Sequence, residues 1–318
     1  MKKTFSLKVC LLAALLLGIA FLHSCRSAGP VTQRDKREDT RWKEAVALEL
    51  PAGEIPPMQS FPFARWDDRE LKLAYYPAKD VQGPSPAMVF VHGGGWSSGS
   101  RFAGMVLSQT LNAGGYTLFS VDYRLSPEAN ALDMVQDVTG AIRWIRANAL
   151  ALGVDPRRLA ISGHSAGGHL AAMVALGTRL EGPLDYIGEV GGNLEQDSRV
   201  HACIIYAGVL DLVRERSRPL VEDLTHTGMN VEEAQKALSP LHLAHGQAPP
   251  ILMIYGENDP LAPWETQGQP FLEAFQTLPD EPSVFIDHYI IPGASHSGAG
   301  YFDGEGLLRF LAFLKEHL

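Results

Sequence analysis

Short apolar runs alternate with longer stretches of helical period along most of this chain. Residues 71–76, 88–91, 116–121, 159–162, 203–207, 251–255 and 284–291 are runs rich in Val, Ile, Leu, Tyr and Phe, and such runs predict strands. Between them, residues 131–149, 166–178, 267–278 and 306–317 place apolar side chains at helical spacing. This alternation predicts an α/β fold: a mostly parallel central sheet with helices on both faces and its ligand site at the carboxyl ends of the strands. Residues 179–199 and 213–243 are less regular and are expected to form a small lid.

The first residues follow a different pattern. Lys2, Lys3 and Lys8 precede an uncharged apolar stretch that ends at Leu22-His23-Ser24-Cys25. This is the pattern of an export signal, shorter than the roughly 20 apolar residues of a spanning helix. A small residue followed by Cys resembles a bacterial lipobox, which implies that residues 1–25 hold a lipoprotein-type signal peptide and that Cys25 is the acylated first residue of the mature chain. The expected location is the bacterial cell envelope, with the membrane reached through the lipid anchor. Ordinary signal-peptidase cleavage, giving a periplasmic or secreted soluble protein, is the alternative. Residues 26–60, with Arg34-Asp35-Lys36-Arg37-Glu38-Asp39, are polar and aperiodic and predict a tether. Residues 61–318 then form one α/β domain.

Composition narrows the function classes. The chain has 318 residues, 46% hydrophobic and 20% charged, enough for one large core. Its 27 basic and 36 acidic residues give −9, and loss of the three leader lysines leaves 24 against 36, or −12. A nucleic-acid partner demands a basic footprint and is therefore excluded. Of the three Cys, Cys10 leaves with the leader and Cys25 is the lipid site. Cys203, inside Ala202-Cys203-Ile204-Ile205-Tyr206, is expected to be a buried small hydrophobe and not a nucleophile.

The chemistry lies in three places. Gly163-His164-Ser165-Ala166-Gly167 matches G-x-S-x-G and is preceded by a strand pattern and followed by a helical one. That is the strand-turn-helix context in which such a turn exposes a nucleophilic Ser165 hydroxyl. His92-Gly93-Gly94-Gly95-Trp96 follows another predicted strand, and consecutive glycines let backbone N–H groups converge on a developing oxyanion. Neither a Gly-Lys-Ser/Thr sequence nor dinucleotide-binding spacing accompanies it. Trp96 packs the loop or lines an acyl pocket, packing being the default.

A general base is expected C-terminal to Ser165. His288 falls inside the last strand and His317 at the end of the last helix, whereas His296 occupies a loop at a strand's carboxyl end. Asp259, after the strand at 251–255, is the expected acid that orients it, with Asp211 as the runner-up. His242 and His245 have no evident third ligand nearby, so no metal is expected.

The stretches Val91-His92-Gly93-Gly94-Gly95-Trp96, Val121-Asp122-Tyr123-Arg124-Leu125-Ser126-Pro127-Glu128 and Gly163-His164-Ser165-Ala166-Gly167-Gly168 resemble the hormone-sensitive-lipase-like esterases of the α/β-hydrolase fold. The HGGGW form, and the segment from Ile187 through Asp211, are closer to bacterial acetyl- and feruloyl-esterase-type hydrolases and to kynurenine formamidases. The resemblance covers roughly residue 65 to the C-terminus. It implies that Gly94, Gly95 and Ala166 supply the oxyanion N–H groups and that Asp122 and Arg124 hold loops beneath the site. It further implies a serine carboxylesterase, needing no cofactor, that cleaves short acyl esters of a small-molecule or carbohydrate alcohol. An arylformamidase and a peptidase are the other enzymatic readings; a non-enzymatic binding module would lack one of the three catalytic residues.

Overall fold

In the structure, a computed structural model, residues 58–66, 69–181, 184–215, 219–279 and 284–318 are described. The expected signal segment with Cys25, and the tether up to residue 57, lie outside them. The strands are Gln59–Trp66 (β1), Arg69–Tyr76 (β2), Ser85–Val91 (β3), Thr117–Val121 (β4), Val154–His164 (β5), Ala202–Tyr206 (β6), Ile251–Gly256 (β7) and Ile286–Ile291 (β8). They form one sheet in the order β1-β2-β4-β3-β5-β6-β7-β8. β1 and β2 pair antiparallel, as do β2 and β4, and all remaining neighbours are parallel. The mostly parallel sheet predicted from the alternation is thus present.

β1 was not among the predicted strands, and its first two residues belong to the stretch expected to be tether. Its register breaks between Pro62 and Ala64; proline has no N–H for a ladder, which suits an outermost strand and obscures the alternation that would have revealed it.

Helices cover both faces. Met105–Ala113 (α1) and Gly304–His317 (α7) lie on one; Ala131–Ala147 (α2), Ala166–Gly177 (α3) and Gly268–Gln276 (α6) lie on the other. Successive strand residues point to opposite faces. Met88 and Phe90 therefore join Leu107, Leu111, Phe310 and Phe313, while Val89 and Val91 join Met134, Val138, Ile142 and Leu170. Every residue of α3 is buried, as expected of a helix that is apolar all round. The irregular stretch after β6 contains Pro219–Leu224 (α4) and Val231–Ala237 (α5). α1, α4 and α5 were not predicted. The two later helices have six and seven residues, too few for the period to declare itself.

The chain order positions the site. From β3 the chain crosses to β4 on one side, and from β5 to β6 on the other. The connections leaving β3 and β5 diverge, opening the crevice expected where strand order reverses.

Candidate active site

β5 ends at His164 and α3 begins at Ala166, so Ser165 alone makes the turn between them. Its φ of 59° and ψ of −121° lie where a non-glycine residue is strained by about 1–3 kcal/mol. The Ser165 N–H donates to the Tyr206 carbonyl at 2.8 Å, and its carbonyl accepts from the His169 N–H at 3.0 Å. The backbone is pinned on both sides while the side chain has no capping role. A Cβ on Gly167 would stand 2.1 Å from the Val91 carbonyl oxygen, so α3 can approach the end of β3 only with glycine there.

The loops after β7 and β8 bring two more residues to this turn. The Ser165 Oγ lies 2.7 Å from His296 Nε2, and His296 Nδ1 lies 2.8 Å from Asp259 Oδ2 and 3.0 Å from Oδ1. Burial works to raise the Asp259 carboxyl, but hydrogen bonds from His296, Ala262 and Leu261 hold it below its ordinary value. An ionised carboxylate only accepts, so Nδ1 carries the ring proton and Nε2 is left to accept from the Ser165 hydroxyl. The Asp259 side chain is fully buried and that of His296 is 14% exposed, so the acid is sheltered while the base is reachable.

The His296 loop has its own supports. The Asn258 N–H donates to the Ala294 carbonyl at 2.8 Å, and the Tyr301 hydroxyl donates to the Ser295 carbonyl at 3.0 Å. His164 Nε2 is 2.7 Å from the His296 carbonyl. Burial first of all lowers the His164 pKa, so the neutral ring donates from Nε2.

Beside Ser165 runs the loop from His92 to Trp96. The Gly94 carbonyl accepts from the N–H groups of Ser97 and Ser98 at 3.2 and 3.1 Å and from the Ser98 hydroxyl at 2.9 Å. Because the peptide is planar and trans, this directs the Gly95 N–H the opposite way. Gly94 has φ +120°, and a Cβ there would meet the Ser98 carbonyl oxygen at 2.2 Å. Among the described residues no acceptor is bonded to the N–H of Gly94 or Gly95. Ala166 opens α3, where the first N–H groups have no acceptor inside the helix and the dipole favours negative charge. The His92 ring stacks on Tyr123 at 4.2 Å, and the Tyr123 hydroxyl donates to the His92 carbonyl at 3.0 Å. Beneath the loop, Asp122 bonds the Arg101 N–H and guanidinium, and Arg124 pairs with the buried Asp137 on α2. The Ser126 N–H donates to the Trp96 carbonyl at 2.9 Å.

Other sequence candidates have partners elsewhere. Asp211 accepts the N–H groups of Val213 and Arg214 and pairs with the Arg214 guanidinium, a turn-forming role. His288 stacks on Trp264 and His317 packs against Phe285 and Phe313. His245 Nε2 meets the Leu176 carbonyl at 3.3 Å. Cys203 is fully buried, which pushes its thiol pKa far up. Among the described residues no group of three or more His, Cys, Asp or Glu side chains is placed to hold a metal. Sequence reasoning passed over His164 and His169. His164 was in view as the variable residue of G-x-S-x-G; His169, four residues after Ser165, sits one helical turn on and carried no signal beyond that spacing.

A sheet of this topology with a serine elbow at its switch point defines an α/β-hydrolase. The BD-FAE family matches residues 73–274, and the chain belongs to that family. The probable carboxylic ester hydrolase LipM of Mycobacterium tuberculosis is 30% identical over 70% of this chain and 51% of its own length; the chain spans about half the length of the curated relatives it matches. Among solved structures, a truncated carbohydrate esterase from gut microbiota superposes with a TM-score of 0.71 at 25% identity, covering 81% of this chain and 95% of the other. Esterase 2 of Thermogutta terrifontis, solved with propionate bound, gives 0.65 at 30% identity, covering 83% and 94%. It has also been solved with butyrate bound and phosphonylated by cyclosarin.

Proposed function

We propose that the protein is a serine esterase that hydrolyses short-acyl carboxylic esters through an acyl-enzyme on Ser165. The observation that carries this reading is the His296 ring, set between the Ser165 Oγ at 2.7 Å and the Asp259 carboxylate at 2.8 Å. Ser165 Oγ attacks the ester carbonyl carbon as its proton passes to Nε2. The carbonyl oxygen becomes an oxyanion, met by the N–H groups of Gly94, Gly95 and Ala166. Collapse expels the alcohol, which takes the proton from Nε2. Water then repeats the sequence, releasing the carboxylic acid and restoring Ser165. Asp259 keeps Nδ1 protonated and stabilises the imidazolium. No cofactor enters.

The preference for short acyl groups, on a small or carbohydrate alcohol, draws support from the propionate and butyrate held by the Thermogutta esterase and from the gut carbohydrate esterase. Each methylene accommodated in an apolar channel would add about 0.8 kcal/mol of binding, and no segment is recognisable in the sequence as the wall of such a channel. Measured on ester series from C2 to C12, kcat/KM is expected to peak between acetyl and butyryl and fall thereafter. A peak at C10 or C12 overturns the short-acyl reading, and stronger turnover of an N-formyl aromatic amide hands the function to the arylformamidase reading.

We further propose that the protein is exported and anchored through acylated Cys25, on the strength of Leu22-His23-Ser24-Cys25 and the need for more than one acyl chain in stable anchoring. Cys25→Ser is expected to release the enzyme from membranes, as read by fractionation and intact mass. A wild-type chain that is soluble with a different N-terminus contradicts the anchor and leaves the esterase reading untouched.

A further inference from the structure

Trp96 closes the glycine loop in a conformation that bulky residues avoid, with φ +58°. Its ring is buried, at 4% exposure, and its indole N–H donates to His169 Nδ1 at 3.1 Å. The two rings meet edge to face at 5.4 Å. His169 Nε2 in turn lies 2.8 Å from the Leu238 carbonyl, just beyond α5. These two contacts fix the ring: Nε2 donates to Leu238, and Nδ1 accepts from Trp96. His169 is fully buried, and burial pushes its pKa down to about 4, so the neutral form that can accept at Nδ1 persists. The backbone N–H of the same residue holds the Ser165 carbonyl at 3.0 Å. One residue thus grips the nucleophile's turn with its main chain and the glycine loop with its side chain.

We propose that His169 is a positioning residue for the oxyanion loop: its hydrogen bond to Trp96 keeps the Gly94 and Gly95 N–H groups aligned on the carbonyl that Ser165 attacks. This rests on the esterase reading above. A strained backbone persists only where its surroundings over-determine it, and among the described residues the indole bond and the Ser126–Trp96 bond are the hydrogen bonds that hold Trp96. Without the indole bond the loop relaxes, and the N–H groups no longer converge where the oxyanion forms. The ground-state ester gains little from them, so the loss falls on kcat and not on KM.

The first variant removes the donor together with part of the buried ring, and the His169 pair isolates the hydrogen bond. Trp96→Phe is expected to lower kcat by about 10- to 100-fold with KM within about threefold, the size of effect a small misplacement of oxyanion donors produces. The inhibition constant of a trifluoromethyl ketone, whose Ser165 adduct carries the oxyanion, should rise in the same proportion. His169→Asn, whose amide oxygen can replace Nδ1 as acceptor, should retain more kcat than His169→Leu. A fall in kcat of less than tenfold in Trp96→Phe, unchanged ketone affinity, or equal losses in the Asn and Leu variants overturns the proposal. Wild-type protein that neither cleaves esters nor binds the ketone would remove the esterase reading instead, so the two failures are distinguishable.

Discussion

Replacing Ser165 by alanine is expected to lower kcat by about four to six powers of ten, leaving only what the oxyanion groups and substrate binding supply without a nucleophile. The expectation follows from what the hydroxyl does. Its oxygen is the atom that His296 Nε2 faces at 2.7 Å, whereas the turn is held by backbone bonds to Tyr206 and His169 that alanine keeps. Alanine also bears the φ of 59° no worse than serine, so the melting temperature should move by no more than a few degrees, in line with ΔΔG values within about 1 kcal/mol. A fluorophosphonate should add one adduct to the wild-type protein, mapped by mass spectrometry to Ser165, and none to the variant. An adduct elsewhere, or undiminished turnover in a folded Ser165→Ala protein, removes Ser165 as nucleophile.

Asp259→Asn is expected to lower kcat by about three to four powers of ten. The Asp259 Oδ1 accepts the N–H groups of Leu261 and Ala262 at 2.8 and 2.9 Å. An asparagine must keep its oxygen there, which points its NH2 at His296 Nδ1. Donor then faces donor unless the imidazole moves its proton to Nε2, the nitrogen that must be bare to take the proton of Ser165. The fold should survive, because the two turn bonds survive. Asp211→Asn is the matched control, since Asp211 caps its own turn and pairs with the half-exposed Arg214; its kcat should change by less than about threefold, because an asparagine oxygen can keep the two turn bonds and neither Asp211 nor Arg214 is bonded to His296. Full activity in Asp259→Asn together with a dead Asp211→Asn would reverse the assignment.

Much of this architecture was legible along the chain because its central strands are buried on both faces and read as unbroken apolar runs. The structure lengthens several of these runs, among them 159–162 into Val154–His164 and 88–91 into Ser85–Val91, moves the run at 203–207 back by one residue to Ala202–Tyr206, and trims those at 116–121 and 284–291 to Thr117–Val121 and Ile286–Ile291. At the added ends of β3 and β5, Ser85 pairs with Val154, while Pro86 and Asp155, Pro156, Arg157 and Arg158 fall in a break of register before Ala87 meets Leu159, so no local apolar pattern announced them. α1 escaped notice for a related reason: Met105 and Val106 are exposed while Asn112 is buried. The Asn112 amide is claimed by the carbonyls of Tyr76 and Tyr116. Its hydrophobic pattern therefore misstates which face is inside.

The sequence by itself determined seven of the eight described strands, four of the helices beside them and their order, and with them the class of fold, because periodicity, turn residues and β-branched runs act over a few neighbouring residues. It also singled out Ser165, His296 and Asp259, since a nucleophile must stand between strand and helix, and a base and an acid at later strand ends. Only the tertiary structure decided between equivalent ends. It set Asp259 against His296 and gave Asp211 to its own turn, a choice made by the adjacency of β7 and β8 across 37 residues. It likewise joined Trp96 to His169 across 73 residues. Contacts at such separations form only after the sheet has closed the intervening loops, and no local pattern encodes which side chains will then face each other.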